Sequence, residues 1–388
     1  MIAPPKTAPP KTAPPKTAPP KTAPPKTAPL AFAHIGDLHL TGAEAGNARD
    51  YQAIVAQIGE IEGLDFVFLP GDNADNGRPE QYALVRAGLD RLHLPVHVIT
   101  GDHDREGGSL DAFYAGLDVP RLPYAVDVRG VRCLFLDMCG PGTGGPDFRL
   151  GPDQVAWLAA ELAGAQGRDC ILFMHSYPAD LKGEGEAARV ADLVHRGPVR
   201  LVEMGHTHYN ELANDGRTVY AATRSTGQIE EGPVGYAVAA LDGGVVSWRF
   251  KDLGRPWPFV LITAPADRRL AHESGHAVGE RFILRALVLG SAERVEYRID
   301  EGPWQAMARE DGARCYAADV VWPAGAQVVA VRATGRGSED SDAIEPATDP
   351  TSLPISRGIG SDADALGAWP ERGLLGTQLG PNRNGRQW

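Results

Sequence analysis

After Lys26 only two lysines remain in this 388-residue chain, Lys182 and Lys251, and the formal net charge is -12. The remaining cations form no basic stripe, since Arg105, Arg121 and Arg129 are scattered. This argues against recognition of nucleic acid backbone or of an anionic membrane surface. A phosphorylated substrate is not excluded, because bound metal ions reverse the local field. Cysteine is scarce as well: Cys133, Cys139, Cys170 and Cys315 show no CxxC spacing. Cys133 and Cys170 sit inside apolar runs, where a small buried hydrophobe is expected. The pattern suits a reducing compartment, and a cytoplasmic protein is expected. No apolar stretch reaches bilayer-spanning length, and the N-terminus lacks the apolar core of a secretory leader.

What is present is enough apolar residue, 43% of the chain, for a sizeable core, with 46 glycines and 32 prolines to turn it. The length suits two or three domains. Residues 1–30 hold five near-perfect repeats of Lys-Thr-Ala-Pro-Pro, the fifth ending in Leu30, a composition that favours extended polyproline II and builds no core. They read as a disordered arm, with docking to a proline-binding partner as the alternative. Residues 31–258 read as the catalytic domain, residues 260–345 as a small β-sandwich and residues 346–388 as an irregular tail. Trp369, Leu374, Leu375 and Trp388 are the tail's candidate anchors.

Within 31–258 strands and helices alternate. The run Leu30 to Ile35 leads into Gly36-Asp37-Leu38-His39, and Asp65 to Leu69 leads into Gly71-Asp72-Asn73. Val96 to Thr100 leads into Gly101-Asp102-His103-Asp104, Cys170 to Met174 into His175, and Arg200 to Met204 into Gly205-His206-Thr207-His208. Amphipathic helices are expected near 51–61, 82–92, 155–162 and 187–194. This is the pattern of an α/β layered fold with its site at the carboxyl ends of strands. Short strands at 218–222, 234–240 and 245–250 read as antiparallel.

Five of these loops carry potential metal ligands, and all the expected chemistry falls between Asp37 and His208. Asp37 and His39 are two apart, and on extended backbone such residues point to one side, where both can reach one ion. The same geometry applies to His206 and His208. Carboxylate oxygen mixed with imidazole nitrogen suits Mn, Fe, Zn or Co rather than Ca. A carboxylate bridging two ions would let the pair activate water and neutralise phosphoryl oxygens. His93, His97, His195 and His272 read as structural.

In order and spacing, the five motifs resemble those of calcineurin-like metallophosphoesterases, nearest to the bacterial cyclic-nucleotide phosphodiesterase branch. The resemblance implies a sandwich of two mixed β-sheets flanked by helices. It also implies two divalent or mixed-valence ions, Mn, Fe or Zn. Asp37, His39 and His208 would hold the first metal, Asp72 would bridge, and Asp102, His175 and His206 would hold the second. His103 would act on the phosphoryl oxygens or the leaving group, with Asp104 as its orienting partner. One departure stands out: the family pattern has Asn where this chain has Asp102, which keeps a ligating oxygen but adds a negative charge. The region from 260 to about 345 resembles immunoglobulin-like appendages.

The implied activity is hydrolysis of a small phosphodiester, cyclic-nucleotide-like, by a metal-activated hydroxide. Phosphomonoester or phosphoprotein hydrolysis, or a non-catalytic scaffold on the same shell, are the alternatives. Self-association is left open. The loops expected to shape the pocket are glycine-rich and poor in aromatics, with Tyr177 the one candidate platform for a base.

Overall fold

A computed structural model of the chain describes residues 28–272, 276–310, 314–349 and 365–376. The expected arm, up to residue 27, and Trp388 lie outside the described residues.

The first half builds strands β1 (Leu30–His34), β2 (Phe66–Leu69) and β3 (Val96–Val98) between helices α1 (Gly46–Gly59), α2 (Pro79–Leu89) and α3 (Asp111–Leu117). There follow β4 (Tyr124–Val128), β5 (Val131–Phe135), α4 (Gly151–Ala163), β6 (Cys170–Phe173), α5 (Glu186–Arg196) and β7 (Val199–Met204). Four more strands complete this part: β8 (Glu211–Asn214), β9 (Val219–Ala222), β10 (Gly235–Asp242) and β11 (Val245–Asp252).

Every residue of β1 is buried, so it belongs inside a sheet rather than at an edge. It lies between β2, to which it is parallel, and β10, to which it is antiparallel, in the order β11-β10-β1-β2-β3. The second sheet runs β4-β5-β6-β7-β9-β8. Its centre is parallel, and its outer pairs β4–β5 and β8–β9 are antiparallel.

Strand alternation distributes the core. Phe32, Phe66 and Phe68 face Phe135 and Phe173 of the other sheet, and the Phe135 and Phe173 rings stack 4.5 Å apart. The opposite faces of β1 and β2, with Ala33, Val67 and Leu69, pack against Tyr51, Ile54 and Val85 of α1 and α2. Leu134, Leu172 and Val202 pack against Leu158 and Val194 of α4 and α5. The result is an α/β fold of two mixed sheets with helices outside.

Within residues 31–258 the sequence reading misses β4, which is only half buried, the four-residue β8 and helix α3. The expectation of uniformly antiparallel strands after residue 208 also needs correction. β9 lies parallel beside β7, while β10 crosses to the other sheet. Short apolar runs carry no information about direction, which depends on the partner strand.

The C-terminal part forms two four-stranded antiparallel sheets. One orders β12 (Phe259–Ala264), β13 (Arg281–Leu289), β17 (Cys315–Val321) and β16 (Ala308–Arg309). The other orders β15 (Gln305–Ala306), β14 (Arg294–Ile299), β18 (Val329–Thr334) and β19 (Glu339–Ile344). Val260, Leu284, Val320 and Val331 fill the space between them. Of the expected tail anchors, Trp369 and Leu374 are buried in the core between the two catalytic sheets. Leu375 is not an anchor, being 41% exposed.

Candidate metal centre

Each motif loop leaves the carboxyl end of a strand, and the loops of β1, β2, β3, β6 and β7 converge. The backbone does not converge by simple extension, as the two-residue spacing suggested. His39, Asp72, His206 and His208 all have positive φ, at 42°, 49°, 64° and 65°. Left-handed backbone at a non-glycine residue costs on the order of 1 kcal/mol and clusters at functional sites. The glycines preceding ligands serve close approach. A Cβ on Gly101 would sit 2.1 Å from Asp72 Oδ1, and one on Gly205 would sit 2.1 Å from Asp37 Oδ1.

The kinked backbone separates His206 from His208. Asp37, His39, Asp72 and His208 form one group of potential ligands, and Asp72, Asp102, His175 and His206 form another. The same-side geometry that the two-residue spacing suggested for His206 and His208 is therefore corrected. In the first group, His208 Nε2 lies 3.5 Å from Asp37 Oδ2 and 3.1 Å from His39 Nε2. In the second, His175 Nε2 lies 3.2 Å from Asp102 Oδ1 and 3.5 Å from Asp72 Oδ2, and His206 Nδ1 lies 3.4 Å from Asp102 Oδ1. His175 Nδ1 is 2.8 Å from the Pro70 carbonyl. Donation there puts the proton on Nδ1 and leaves the Nε2 lone pair for a ligand role.

Electrostatics sharpen the picture. Burial pushes Asp37 up to about 8 and His208 down to about 3, and lowers His39. Burial opposes charge on Asp72 too, but His175 holds it down to about 2. Asp102 is likewise held below the carboxylate range, against burial, by hydrogen bonds from His175 and His206.

Whether such a set suits cations can be tested on its polar atoms. Asp37 Oδ2 accepts the His206 N–H at 2.7 Å, but Asp37 Oδ1 is buried without a hydrogen-bond partner. An orphaned buried carboxylate oxygen beside two facing imidazole nitrogens is costly unless a cation completes it. The donors fit borderline transition ions.

His103 belongs to neither group, although it forms a third cluster with His39 and Asp75, its ring 4.5 Å from that of His39 between centroids. Its backbone N–H donates to Asp72 Oδ1 at 2.9 Å, and its Nδ1 lies 2.8 Å from the Asp75 carbonyl. Burial works against its charged form, yet Asp72 and the Asp75 carbonyl raise its pKa above the ordinary value. Asp104 is not its orienting partner. That carboxylate is buried and accepts from Gly101 N, Ala74 N, Asn73 Nδ2 and Tyr82 OH, so it pins the loop after β2. Burial pushes it up to about 6. Tyr177 is no base platform either, since it is buried and its hydroxyl donates to Glu211.

Sequence reasoning passed over several neighbours. Asp75 orients His103 and places its carboxylate 3.9 Å from His39 Nδ1, and a carboxylate three residues after Asp72 was a readable signal. Gln228 reaches His39 Nδ1 at 3.3 Å from a distant loop, and nothing local announced it. Phe148 packs edge-on to His206 at 4.9 Å between centroids. His34 and Glu203 make a fully buried 2.7 Å contact between the two sheets.

Residues 30–210 match the model of the calcineurin-like phosphoesterase family. A glycerophosphodiester phosphodiesterase (GpdQ) of Enterobacter lignolyticus is 32% identical over 38% of this chain and 57% of its own length. A probable cyclic nucleotide phosphodiesterase of Rhodococcus erythropolis is 27% identical over 46% of this chain and 65% of its own. The chain thus spans less than two thirds of either relative. A solved dimetal phosphatase from Danio rerio, 16% identical, superposes with a TM-score of 0.47 over 58% of this chain and 96% of that one.

Proposed function

We propose that this chain, whose residues 30–210 belong to the calcineurin-like phosphoesterase family, hydrolyses small phosphodiesters at a pair of transition-metal ions. The observation that carries the reading is Asp72, which belongs to both four-residue groups and whose Oδ2 lies 3.7 Å from His39 Nε2 and 3.5 Å from His175 Nε2, so that it would be shared by the two ions. Asp37, His39 and His208 complete one set, and Asp102, His175 and His206 the other. Two such ions, Mn, Fe or Zn, would acidify a water and neutralise phosphoryl oxygens.

The chain's own residues do the rest. The His103 backbone N–H on Asp72 Oδ1 ties the loop after β3 to the bridging carboxylate. Hydrogen bonding of His103 Nδ1 to the Asp75 carbonyl leaves Nε2 as the atom that can hand a proton to the departing alkoxide oxygen. The Asp72 carboxylate and the Asp75 carbonyl raise its pKa, in the direction that favours the protonated ring. Asp104 acts one step back, by holding Asn73 and Gly101 in position.

Relatives named for glycerophosphodiesters and for cyclic nucleotides support a small diester as substrate. All four cysteines are buried thiols, consistent with the cytoplasmic setting we favour. No described helix is long and apolar enough to cross a membrane. We keep the immunoglobulin-like reading for the C-terminal sheets, which contribute none of the ligand candidates.

The test is a chelator-stripped full chain reloaded with Mn²⁺ and offered 3′,5′-cyclic AMP, glycerophosphodiesters, phosphomonoesters and single-stranded DNA. The highest kcat/KM should fall on a small diester, and activity should vanish on chelation. A preference for monoesters would overturn the substrate class. Two bound metals with no turnover on any ester would leave a scaffold.

A further inference from the structure

We infer that residues 365–376 act as a positioning strap for the first ligand group, so that a segment outside the family region sets the cation affinity of that one site. The inference rests on the reading that Asp37, His39, Asp72 and His208 hold a cation.

The strap is anchored along its length. Its Leu366 N–H donates to Leu212 O of β8 at 2.9 Å, and Trp369 is buried in the core between the sheets beneath the Arg269 guanidinium, 3.4 Å from the ring centroid. Arg372, 1% exposed, pairs with Asp342 Oδ1 at 3.2 Å and reaches Trp248 O at 3.3 Å. Trp369 and Leu374 close a tight backbone loop through mutual N–H···O bonds of 2.8 and 3.1 Å. Besides the Arg372 guanidinium and the Glu371 carbonyl, which meet Trp248 and Arg249 of β11, that loop presents the Gly373 carbonyl to the first part of the chain.

Two side chains converge on it: Asn210 Nδ2 at 3.0 Å and Arg224 at 2.7 Å. Arg224 is 2% exposed, also donates to the carbonyls of Glu231 and Pro233, and lies over the Phe250 ring at 4.1 Å. Asn210 Oδ1 in turn accepts the Arg224 N–H at 2.8 Å. The residues that follow Arg224 all serve the first group. Ser225 Oγ, Thr226 N and Gly227 N donate to the Asp37 carbonyl at 2.8, 2.9 and 3.0 Å. Ser225 N donates to His208 O at 3.4 Å, and Gln228 reaches His39 Nδ1. These contacts touch Asp37, His39 and His208, three members of the first group. Outer contacts that orient metal ligands typically set affinity by about 10–100-fold.

Gly373 has φ 87°, and a Cβ there would meet Phe250 Cβ at 2.6 Å, so Gly373→Ala dislodges the carbonyl without touching any ligand. The experiment strips the full chain, titrates it with Co²⁺ and follows visible absorption and bound metal. Wild-type protein should take up two equivalents, and Gly373→Ala should weaken one of them about 10–100-fold. The loss should persist in a His206→Ala background, where the first group is intact, and disappear in a His208→Ala background, where it is not. If Gly373→Ala does not fold, Arg224→Lys, which keeps the charge but cannot span the carbonyls, should give the same selective loss. Equal weakening in both backgrounds, or none, would overturn the strap. Wild-type protein that takes up no Co²⁺ would remove the underlying reading and the inference with it.

Discussion

The Nε2 atoms of His39 and His208 face each other across 3.1 Å, with both rings buried. Burial lowers the pKa of both, so two neutral imidazoles meet there and share at most one proton. A cation between them would take a lone pair from each in its place. Metal removal should therefore destabilise the protein. At a cation concentration about 100-fold above Kd the folded state gains about 2.7 kcal/mol, a melting shift of several degrees. Calorimetry with and without a chelator measures it, and superimposable melting curves would argue against a cation there.

Asp72 and His103 should separate under mutation. Asp72→Ala removes the residue common to both groups and should cost both metals. His103→Ala should keep both and slow turnover by about 10²–10⁴-fold, the usual range for a lost general acid. The deficit should be greatest for esters with poor leaving groups. Metal analysis beside a leaving-group series distinguishes the two, and a metal-free His103→Ala protein would refute its assignment.

Asp102 puts a carboxylate where the family pattern has a neutral amide, between His175 and His206. The extra negative charge should tilt the second site towards a harder, more highly charged ion. Asp102→Asn keeps a ligating oxygen, so two metals should still bind, with selectivity shifted from Fe³⁺ towards divalent ions. Competitive loading followed by elemental analysis reads this directly. Identical selectivity in both proteins would dismiss the charge argument.

A pH effect independent of the centre is expected from His97, which stacks on Phe135 at 4.5 Å and contacts the Tyr124 hydroxyl at 3.0 Å. Burial lowers its pKa to about 4 from 6.5. The folded state then binds fewer protons than the unfolded chain between these values, so stability falls as the pH drops from 6.5 to 4 and levels off below. The slope from one such group approaches about 1.4 kcal/mol per pH unit. His34, lowered to about 3 by burial, contributes in the same sense. His97→Phe should flatten the melting-temperature profile in this window without abolishing it. An unchanged profile would place the acid sensitivity elsewhere.

The alternation of strands and helices and the ligand-bearing residues were legible because both are local. Phe66 and Phe68 alternate with Val67 and Leu69 at the strand period. Tyr51, Ile54 and Ile58 recur on one helix face. Gly-Asp and Gly-His pairs follow the strands because a Cβ has no room where ligand loops crowd together. The half-buried β4 and the parallel placement of β9 were not legible, since edge exposure and strand direction depend on the partner.

By itself the sequence marked the Asp and His side chains that the fold gathers into two groups, because these are the donors that borderline cations would need. The i, i+2 spacing did not show how they divide, and the tertiary structure supplied the physical reason. Left-handed backbone at His206 and His208 sends adjacent histidines to different groups. The fold also gave the orienting of His103 to the Asp75 carbonyl rather than to Asp104, and brought Gly373 onto Arg224 across 149 residues. Such contacts are set by backbone torsion and packing between distant segments, which residue type and spacing do not encode.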